Sequence, residues 1–363
     1  MTRTVLFTGD IFRQQPRGGI TRYVLEISRR LRRPAEVLVG LHQSVELGGL
    51  TVPARAALRL PAFRGVHRVA AVANALVDAA GWSRRRDLIV HPSYYRDPRG
   101  LPRGIPVVVT VHDMTHERLP GFFAAHGGGW EPARHKLALC RRADLVLCNS
   151  ATTLHDLLEL GDVPAARVRL TPHASRDWSG IQPTAIPDLR EPFLLWVGER
   201  HAYKNFLPAL AAWASCAEAA DTTLLCVGGG PFRPHERAAI AACGAVGRVI
   251  QRACTDGELA WAYAHAAALV NASLWEGFGV TLLEALGHGC PVLASDRAPF
   301  HEVAGDQAVF AEPTDLDALR GGFRAVLGQG RGTAEVTARR AQAARFSWDT
   351  CAAQHEAAYR ELD

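Results

Sequence analysis

Two carboxylates and a glycine lie close together in the second half of the chain, at a spacing that could form a ligand-binding site. Glu276 lies in a predicted loop, and Glu284 lies in the helix predicted over residues 280–288. Gly279, before that helix, leaves the backbone amides at the helix start open, and their partial positive charge favours phosphate. Carboxylates accept hydrogen bonds from hydroxyl groups. The stretch therefore predicts a site for a phosphate flanked by hydroxyl-bearing groups, as in a nucleotide sugar.

The elements around these residues follow the order strand, loop, helix, strand. Residues 269–272 and 292–295 are the apolar strands of this unit. Gly289 stands where a left-handed residue is expected to end the helix, and Pro291 cannot continue it. This order is the building block of a parallel sheet.

This stretch resembles the nucleotide-binding motif of the retaining glycosyltransferases of family 4, which have the GT-B fold. Glu276 and Glu284 are separated by seven residues inside EGFGVTLLEALGHGCPV. The resemblance implies an α/β protein with two Rossmann-like domains facing a cleft. It implies that Glu276 binds the donor-sugar hydroxyls at the catalytic centre, that Glu284 binds the ribose, and that Gly279 and Val280 contact the diphosphate. The alternative is a buried strand–helix–strand unit with two incidental glutamates.

A glycine pair near the N-terminus extends the resemblance. Residues 4–8 predict a buried strand, residues 9–19 a loop, and residues 20 to about 33 a helix. Gly18 and Gly19 thus precede a helix start, where the resemblance implies that they approach the donor diphosphate. A flexible turn is the alternative interpretation.

A His-Asp pair follows the strand predicted at residues 107–111. In open α/β sheets, ligands bind beyond the carboxyl ends of the strands. The resemblance implies that His112 lies close to the donor sugar and the reaction centre, and we expect Asp113 to contribute to the same catalytic site. His91, after the preceding strand, is predicted to be structural.

A loop with two cations follows the strand predicted to begin at Phe193. The resemblance implies that Lys204 binds phosphate, but the arginine that family members carry before it is Tyr203 here. We predict that Arg200 reaches the diphosphate in place of that arginine. The alternative is that Arg200 points to solvent. Further along the chain, the backbone around Gln251 and Ala253 is implied to receive the nucleobase.

No metal ion and no organic cofactor are predicted. Asp315 and Asp317 form a DxD pair of the type that holds Mn²⁺ or Mg²⁺ on a diphosphate, but PTDLDALR is more typical of the first turn of a helix. The eight cysteines form no CxxC pair, so neither a zinc site nor a disulfide framework is indicated.

The length of 363 residues, with 48% hydrophobic residues, predicts two globular domains. The proline-punctuated segment 171–192 predicts their linker, with an N-terminal acceptor-side domain at 1–180 and a nucleotide-sugar-binding domain at 190–340. The segment 345–363 is expected to form a helix that packs back on the N-terminal domain.

The net charge of +5 favours anionic ligands without indicating nucleic acid. No apolar stretch is long enough to span a membrane, and no signal-peptide pattern precedes the first strand. A cytoplasmic enzyme is expected, with the inner face of the membrane as a further expected location. The arginine runs at residues 29–33 and 84–86 predict either a solvated face or a contact with anionic lipid.

The predicted function is metal-independent, retaining transfer of a hexose from a GDP- or UDP-linked donor to an acceptor hydroxyl. A glycan or lipid-linked acceptor in polysaccharide, lipopolysaccharide or glycolipid assembly is expected. The segments VHD, YKN and WEGFG resemble bacterial mannosyltransferases most, so mannose is the predicted sugar. The alternatives are a non-hydrolysing sugar-nucleotide epimerase of similar fold and a non-catalytic nucleotide-sugar-binding protein.

Overall fold

The computed structural model describes residues 2–15, 18–42, 44–45, 47, 50–55, 57–59, 66–83, 85–125 and 135–363. The chain forms two compact units. Unit 1 contains Met1–His173 together with Ser347–Asp363, and unit 2 contains Ala174–Phe346. The division after residue 173 lies earlier than the predicted limit at residue 180, and unit 2 extends beyond the predicted end at residue 340.

Unit 1 is built on parallel strands, of which the central ones are buried on both faces. Its described strands are β1 (Thr4–Thr8), β2 (Ala35–Leu38), β3 (Leu41–His42), β4 (Ala54–Arg55), β5 (Leu58–Arg59), β6 (Leu88–His91), β7 (Val108–Val111), β8 (Leu145–Cys148) and β9 (Val168–Leu170). The order β4-β2-β1-β6 is joined to β7-β8-β9 by a bridge between Val90 and Val107. The described helices are α1 (Asp10–Gln14), α2 (Gly19–Arg30), α3 (Val66–Trp82), α4 (Thr115–Arg118), α5 (Pro120–Ala125), α6 (Lys136–Arg142) and α7 (Ala151–Leu160).

The segment between β1 and α2 differs from its prediction. The short helix α1 occupies residues that were predicted as loop, and α2 begins one residue earlier and ends about three residues earlier than predicted. Val24 and Ile27 are fully buried in α2, as the helical spacing indicates, whereas Leu31 lies beyond the helix end.

The first arginine run is mostly engaged in ion pairs, rather than forming a solvated face or a free basic patch. Arg29 and Arg30 pair with Glu26 in α2, and Arg33 is only 5% exposed. In the second run, Arg85 pairs with Glu36 and Asp87, while Arg84 lies outside the described residues.

Helix α3 has an unusual distribution of polarity. Asn74 and Asp78 are buried, with Asn74 bonding both backbone polar groups of Leu41, while Val72 and Leu76 are 69% and 70% exposed. The polar face therefore points into unit 1 and an apolar face points to solvent, the reverse of an ordinary surface helix. Within the described part of the chain, no helix is long and apolar enough to cross a membrane.

Unit 2 contains a parallel sheet in the strand order of a dinucleotide-binding fold. Its strands are β10 (Phe193–Val197), β11 (Thr223–Val227), β12 (Val249–Arg252), β13 (Ala268–Asn271), β14 (Val292–Ser295) and β15 (Val309–Ala311). They lie in the order β12-β11-β10-β13-β14-β15. The helices are α8 (Phe206–Ala214), α9 (Pro234–Ala242), α10 (Asp256–His265), α11 (Val280–Gly287), α12 (Ala298–Ala304), α13 (Leu316–Leu327) and α14 (Thr333–Ala343).

Gly289 ends the turn after α11, as predicted. Its φ of +72° is left-handed, and a Cβ there would lie 2.7 Å from Val336 Cγ1. The Gly289 N–H donates to the Leu286 carbonyl and the Cys290 N–H donates to the Ala285 carbonyl, which are the two bonds of a Schellman motif. Glycine is therefore required here both by the backbone conformation and by the close approach of α14.

The last helix, α15 (Trp348–Arg360), belongs to unit 1, where it packs on α2. Buried Arg33 pairs with Glu356 at 3.1 Å and with Asp363 at 3.3 Å. Arg30 also pairs with Asp349 at 2.9 Å. These ion pairs, together with the buried side chains of α15, hold the C-terminal segment on the N-terminal part of the chain.

Candidate functional site

The strand order of unit 2 reverses at β10, which lies between β11 and β13. At such a switch point the loops beyond the carboxyl ends of the two central strands diverge and leave room for a ligand. The loop after β10 carries Lys204, and the loop after β13 carries Glu276. A hydrogen bond from the Leu274 N–H to the Tyr203 carbonyl, 2.8 Å long, ties the two loops together.

Lys204 and Glu276 meet at this edge of the sheet. The Lys204 ammonium lies 2.5 Å from Glu276 Oε1, and both side chains are about one fifth exposed, at 22% and 19%. The Ser273 hydroxyl donates to the same carboxylate oxygen at 2.8 Å. The ring of Tyr203, which replaces the expected arginine, lies 5.1 Å from the ammonium, within cation–π range. The structure thus brings together the predicted phosphate-binding lysine and the predicted sugar-binding carboxylate.

Gly279 is the residue immediately before α11, and Val280 is the first residue of the helix. The φ of +102° at Gly279 is unfavourable for other residues, and a Cβ there would lie 3.1 Å from Phe300. Glycine therefore allows the chain to turn sharply into the helix, whose first N–H groups suit an anion.

Glu284 lies one turn inside α11 and is 6% exposed. The Tyr263 hydroxyl, from α10, donates to Glu284 Oε2 at 2.8 Å, and the Tyr263 ring stacks on His288 at 5.3 Å. These contacts fix the rotamer of the carboxylate. Sequence reasoning missed Tyr263, because nothing in α10 marks which of its aromatic residues faces α11.

Gln251 and Ala253 lie at the carboxyl end of β12, two strands from the switch point. The strand runs through Arg252, so Gln251 belongs to the strand rather than to the loop after it, and its Cα pairs with that of Cys226. Ala253 follows the strand and is exposed.

The prediction for Arg200 requires correction, because its guanidinium has other partners. Arg200 is 6% exposed and pairs with Glu236 at 3.0 Å. It also donates to the carbonyls of Gly228 and Gly230, at 3.0 and 2.8 Å. Its side chain points neither to solvent nor to an open anion site. Instead, it stabilises a turn of consecutive glycines with positive φ.

The two aspartates of the DxD pair lie at the start of helix α13. Asp315 is the residue before α13, and its carboxylate accepts hydrogen bonds from the Asp317 and Ala318 N–H groups at 2.8 and 3.1 Å. Asp317 pairs with Arg320. These bonds are those of an N-terminal cap. Among the residues that the structure describes, one further group could hold a metal ion, and it consists of His155, Asp156 and Glu159. Both carboxylates of this group already pair with Arg118.

Gly18 and Gly19 lie at the start of α2 in unit 1. Gly18 is the residue before the helix, and Gly19 is its first residue. Among the described residues, a Cβ at Gly19 would meet nothing within 4 Å, whereas a Cβ at Gly18 would clash with Gln15 Nε2.

His112 and Asp113 follow β7. His112 is 9% exposed. Burial is the largest cause that lowers its pKa to about 3, and the nearby His173 is the second largest. The imidazole is therefore neutral at pH 7. Burial alone would raise the pKa of Asp113, but the ammonium of Lys136 and the Thr115 N–H hold it below its ordinary value. The backbone of His112 is fixed on both sides, because its N–H donates to the Tyr95 hydroxyl and its carbonyl accepts from Asn149 Nδ2.

His91 is structural, as predicted. It is 1% exposed and its two ring nitrogens lie 2.6 Å from the Tyr359 hydroxyl and 3.0 Å from Thr110 Oγ1.

Two family models match the chain in successive segments. One, described as Glycosyltransferase Family 4, matches residues 17–174, and the other, described as Glycosyl transferases group 1, matches residues 191–329. The gap between the matches falls in the segment that connects the two sheets.

The chain is similar to O-antigen chain mannosyltransferase B of Escherichia coli, with 28% identity over 312 residues and coverage of 77% of each protein. Among solved structures, sucrose-phosphate synthase from Thermosynechococcus elongatus superposes with a TM-score of 0.76 at 18% identity, covering 99% of each chain. The Anabaena protein Alr3699/HepE, solved with UDP and glucose, gives a TM-score of 0.74 at 17% identity and covers 99% of this chain and all of its own. At these identities the structural likeness shows a shared GT-B fold.

Because Arg200 is buried in an ion pair, we expect its removal to lower the stability of the protein more than it weakens donor binding. Arg200→Ala leaves the buried Glu236 without its ionic partner, which should lower the free energy of unfolding by about 3–5 kcal/mol. Denaturant unfolding measures this loss. Arg324→Ala, which breaks an exposed ion pair with Glu218 in the same unit, is the matched control and should cost only about 0–1 kcal/mol. Unchanged stability of Arg200→Ala together with a large rise in donor KM would instead restore the diphosphate role.

Proposed function

The chain belongs to the GT-B glycosyltransferases that combine a family 4 domain with a group 1 domain, and we propose that it transfers a hexose with retention of anomeric configuration. The donor is a nucleotide-diphosphate sugar and the acceptor is a hydroxyl of a glycan or lipid-linked glycan. The observation that carries the proposal is the Lys204–Glu276 pair at the switch point, beside the glycine-opened start of α11. One cation and one carboxylate at the same sheet edge match the diphosphate and the sugar of one donor.

The ion pair suggests how the donor is received. When the donor binds, Lys204 exchanges its carboxylate partner for the diphosphate, and Glu276 accepts hydrogen bonds from sugar hydroxyls while Ser273 keeps it oriented. The buried Glu284, held by Tyr263, receives the ribose hydroxyls. Lys204 thus exchanges one anion for another. Each glutamate accepts hydrogen bonds from hydroxyl groups, as it already does from Ser273 or Tyr263 in the structure.

The transfer itself needs no protein base. The bond between the anomeric carbon and the phosphate oxygen breaks, and the bond to the acceptor oxygen forms on the same face of the sugar. The acceptor proton passes to the leaving phosphate oxygen. Lys204 and the α11 amides stabilise the charge that develops on the diphosphate, the task that a metal ion performs in other transferases.

Mannose is the proposed sugar. The similarity to an O-antigen chain mannosyltransferase supports this choice and a polysaccharide-type acceptor. An epimerase of similar fold would convert the donor without an acceptor, and a binding protein would release no nucleoside diphosphate.

The direct test incubates the purified protein with GDP-mannose or UDP-hexoses, glycan acceptors and excess EDTA. We expect nucleoside diphosphate and a glycoside whose anomeric configuration, measured by proton NMR, equals that of the donor. Loss of activity in EDTA with recovery in Mn²⁺ would overturn the metal independence. An inverted linkage would overturn the retaining mechanism, and epimerised donor without glycoside would favour the epimerase.

The two glutamates should differ in the kinetic step that they affect. Glu276→Gln removes a charge beside the reacting sugar and should lower kcat by roughly 10- to 100-fold, because the loss falls on the transition state. Glu284→Gln keeps an acceptor for Tyr263 and should mainly raise the donor KM, since the ribose does not change during the reaction. Steady-state kinetics with varied donor separates the two effects. Equal changes confined to KM in both variants would contradict these roles.

We further propose that the outer face of α3 rests on an anionic lipid surface, which would bring the enzyme to lipid-linked acceptors. Val72 and Leu76 supply the exposed apolar face, and Arg86, exposed just after the helix, supplies positive charge. Leu76→Glu should abolish co-sedimentation with phosphatidylglycerol vesicles, whereas Val246→Glu, which changes an equally exposed apolar residue of unit 2, should retain it. Equal binding of the two variants, or no preference for anionic over neutral vesicles, would contradict this contact.

A further inference from the structure

A chain of buried hydrogen bonds runs through unit 1 from α15 to the sheet. It begins at His355, whose Nδ1 lies 2.7 Å from the Cys351 carbonyl and whose Nε2 lies 2.5 Å from the Tyr23 hydroxyl. The Tyr23 hydroxyl also lies 2.7 Å from Thr110 Oγ1. From Thr110 the chain continues through His91 to the Tyr359 hydroxyl. All five side chains are at most 4% exposed.

The direction of every bond in this chain follows from its first member. A carbonyl oxygen can only accept, so His355 Nδ1 carries the proton, and in a neutral imidazole Nε2 is then an acceptor. Burial lowers the pKa of His355 to about 4, which keeps the ring neutral at pH 7. The Tyr23 hydroxyl must therefore donate to His355.

The remaining protons are then fixed one after another. The single proton of Tyr23 is used, so Thr110 donates to Tyr23. Because the proton of Thr110 is also used, His91 must donate from Nε2, which leaves His91 Nδ1 to accept from Tyr359. Each group has a partner of the correct kind, and such a fully satisfied buried network fixes the side chains that it contains.

Tyr23 is the member of this network that reaches the candidate catalytic residue. Its ring meets the His112 imidazole edge to face at 5.0 Å, and it stacks on His173 at 5.7 Å on another side. Trp348, at the start of α15, in turn packs edge to face on His173 at 4.7 Å. The orientation of His112 thus depends on a tyrosine whose hydroxyl is held by both the sheet and the C-terminal helix.

We propose that Tyr23 is a positioning residue for His112, held in place by the hydroxyl of Thr110 and by His355 of the C-terminal helix. The role rests on the proposed function and on the expectation from the family resemblance that His112 lies close to the donor sugar. It assigns to α15 a task beyond packing, since His355 is the residue on which the direction of the whole network depends.

The kinetic test compares two variants that each remove one hydroxyl from the same network. Tyr23→Phe and Tyr359→Phe should lower Tm by similar amounts, roughly 2–8 °C, because each leaves a buried histidine nitrogen without its donor. Only Tyr23→Phe should lower kcat, by about tenfold with donor KM within about twofold, since only Tyr23 contacts His112. Equal kcat values for the two variants would overturn the proposal. If Tyr23→Phe does not fold, Thr110→Val replaces it and should lower kcat in the same direction.

A spectroscopic test is independent of transferase activity. Long-range ¹H–¹⁵N spectra of the histidine rings, with the His112 signals assigned from His112→Gln, should show protonated Nδ1 in His355 and protonated Nε2 in His91. Tyr23→Phe should shift the His112 ring signals, and Tyr359→Phe should leave them unchanged. Opposite tautomers, or unshifted His112 signals in Tyr23→Phe, would overturn the positioning role. Absence of transfer by the wild type with shifted His112 signals would instead count against the proposed function alone.

Discussion

The parallel pairing of β10 with β13 is the constraint on which the candidate site of unit 2 depends. Leu195 pairs with Leu269 in this register, so the two strands end at the same edge. Lys204 and Glu276, 72 residues apart, can meet only because their loops leave that edge side by side. A slip of one residue would turn the buried side chains of β13 to the opposite face and move the start of its loop. The ion pair is therefore a consequence of sheet register before it is a feature of any ligand site.

The two cations of the loop after β10 illustrate how chemistry follows from local structure. Successive glycines with positive φ at residues 228–230 present their carbonyls in several directions, and only a side chain with several fixed donors can satisfy them together. Arg200 meets this need and is buried with Glu236. Lys204 is a compact point charge that pairs with the carboxylate of Glu276, and both side chains remain about one fifth exposed to solvent. A partner of this kind can be exchanged for a phosphate without disturbing the core, whereas the partners of Arg200 cannot.

The sequence predicts those features that depend on short spacings. The strand–loop–helix–strand unit around Glu276, its left-handed Gly289 and the cap formed by Asp315 are local in this sense. The environment of Arg200 could not be predicted, because its carbonyl partners come from a turn about 30 residues away. The bond between Tyr23 and His355 joins residues 332 positions apart, and no periodicity marks either of them as its partner. Helix α1 was missed because five residues are too few for a periodic pattern.

The neutrality of His112 agrees with the position beside the donor sugar that the family resemblance implies for it. With a pKa near 3, the imidazole offers one donor and one acceptor at pH 7 and carries no charge. Positive charge develops on the sugar when a glycosidic bond breaks, and an imidazolium beside it would oppose that development. In the proposed transfer the acceptor proton passes to the leaving phosphate, so His112 need not titrate. The task expected of it beside the sugar is then hydrogen bonding at a fixed orientation. For such a task the rigid surroundings of the ring, with Tyr23 edge to face against it, matter more than its basicity, and the burial that lowers its pKa also provides that rigidity.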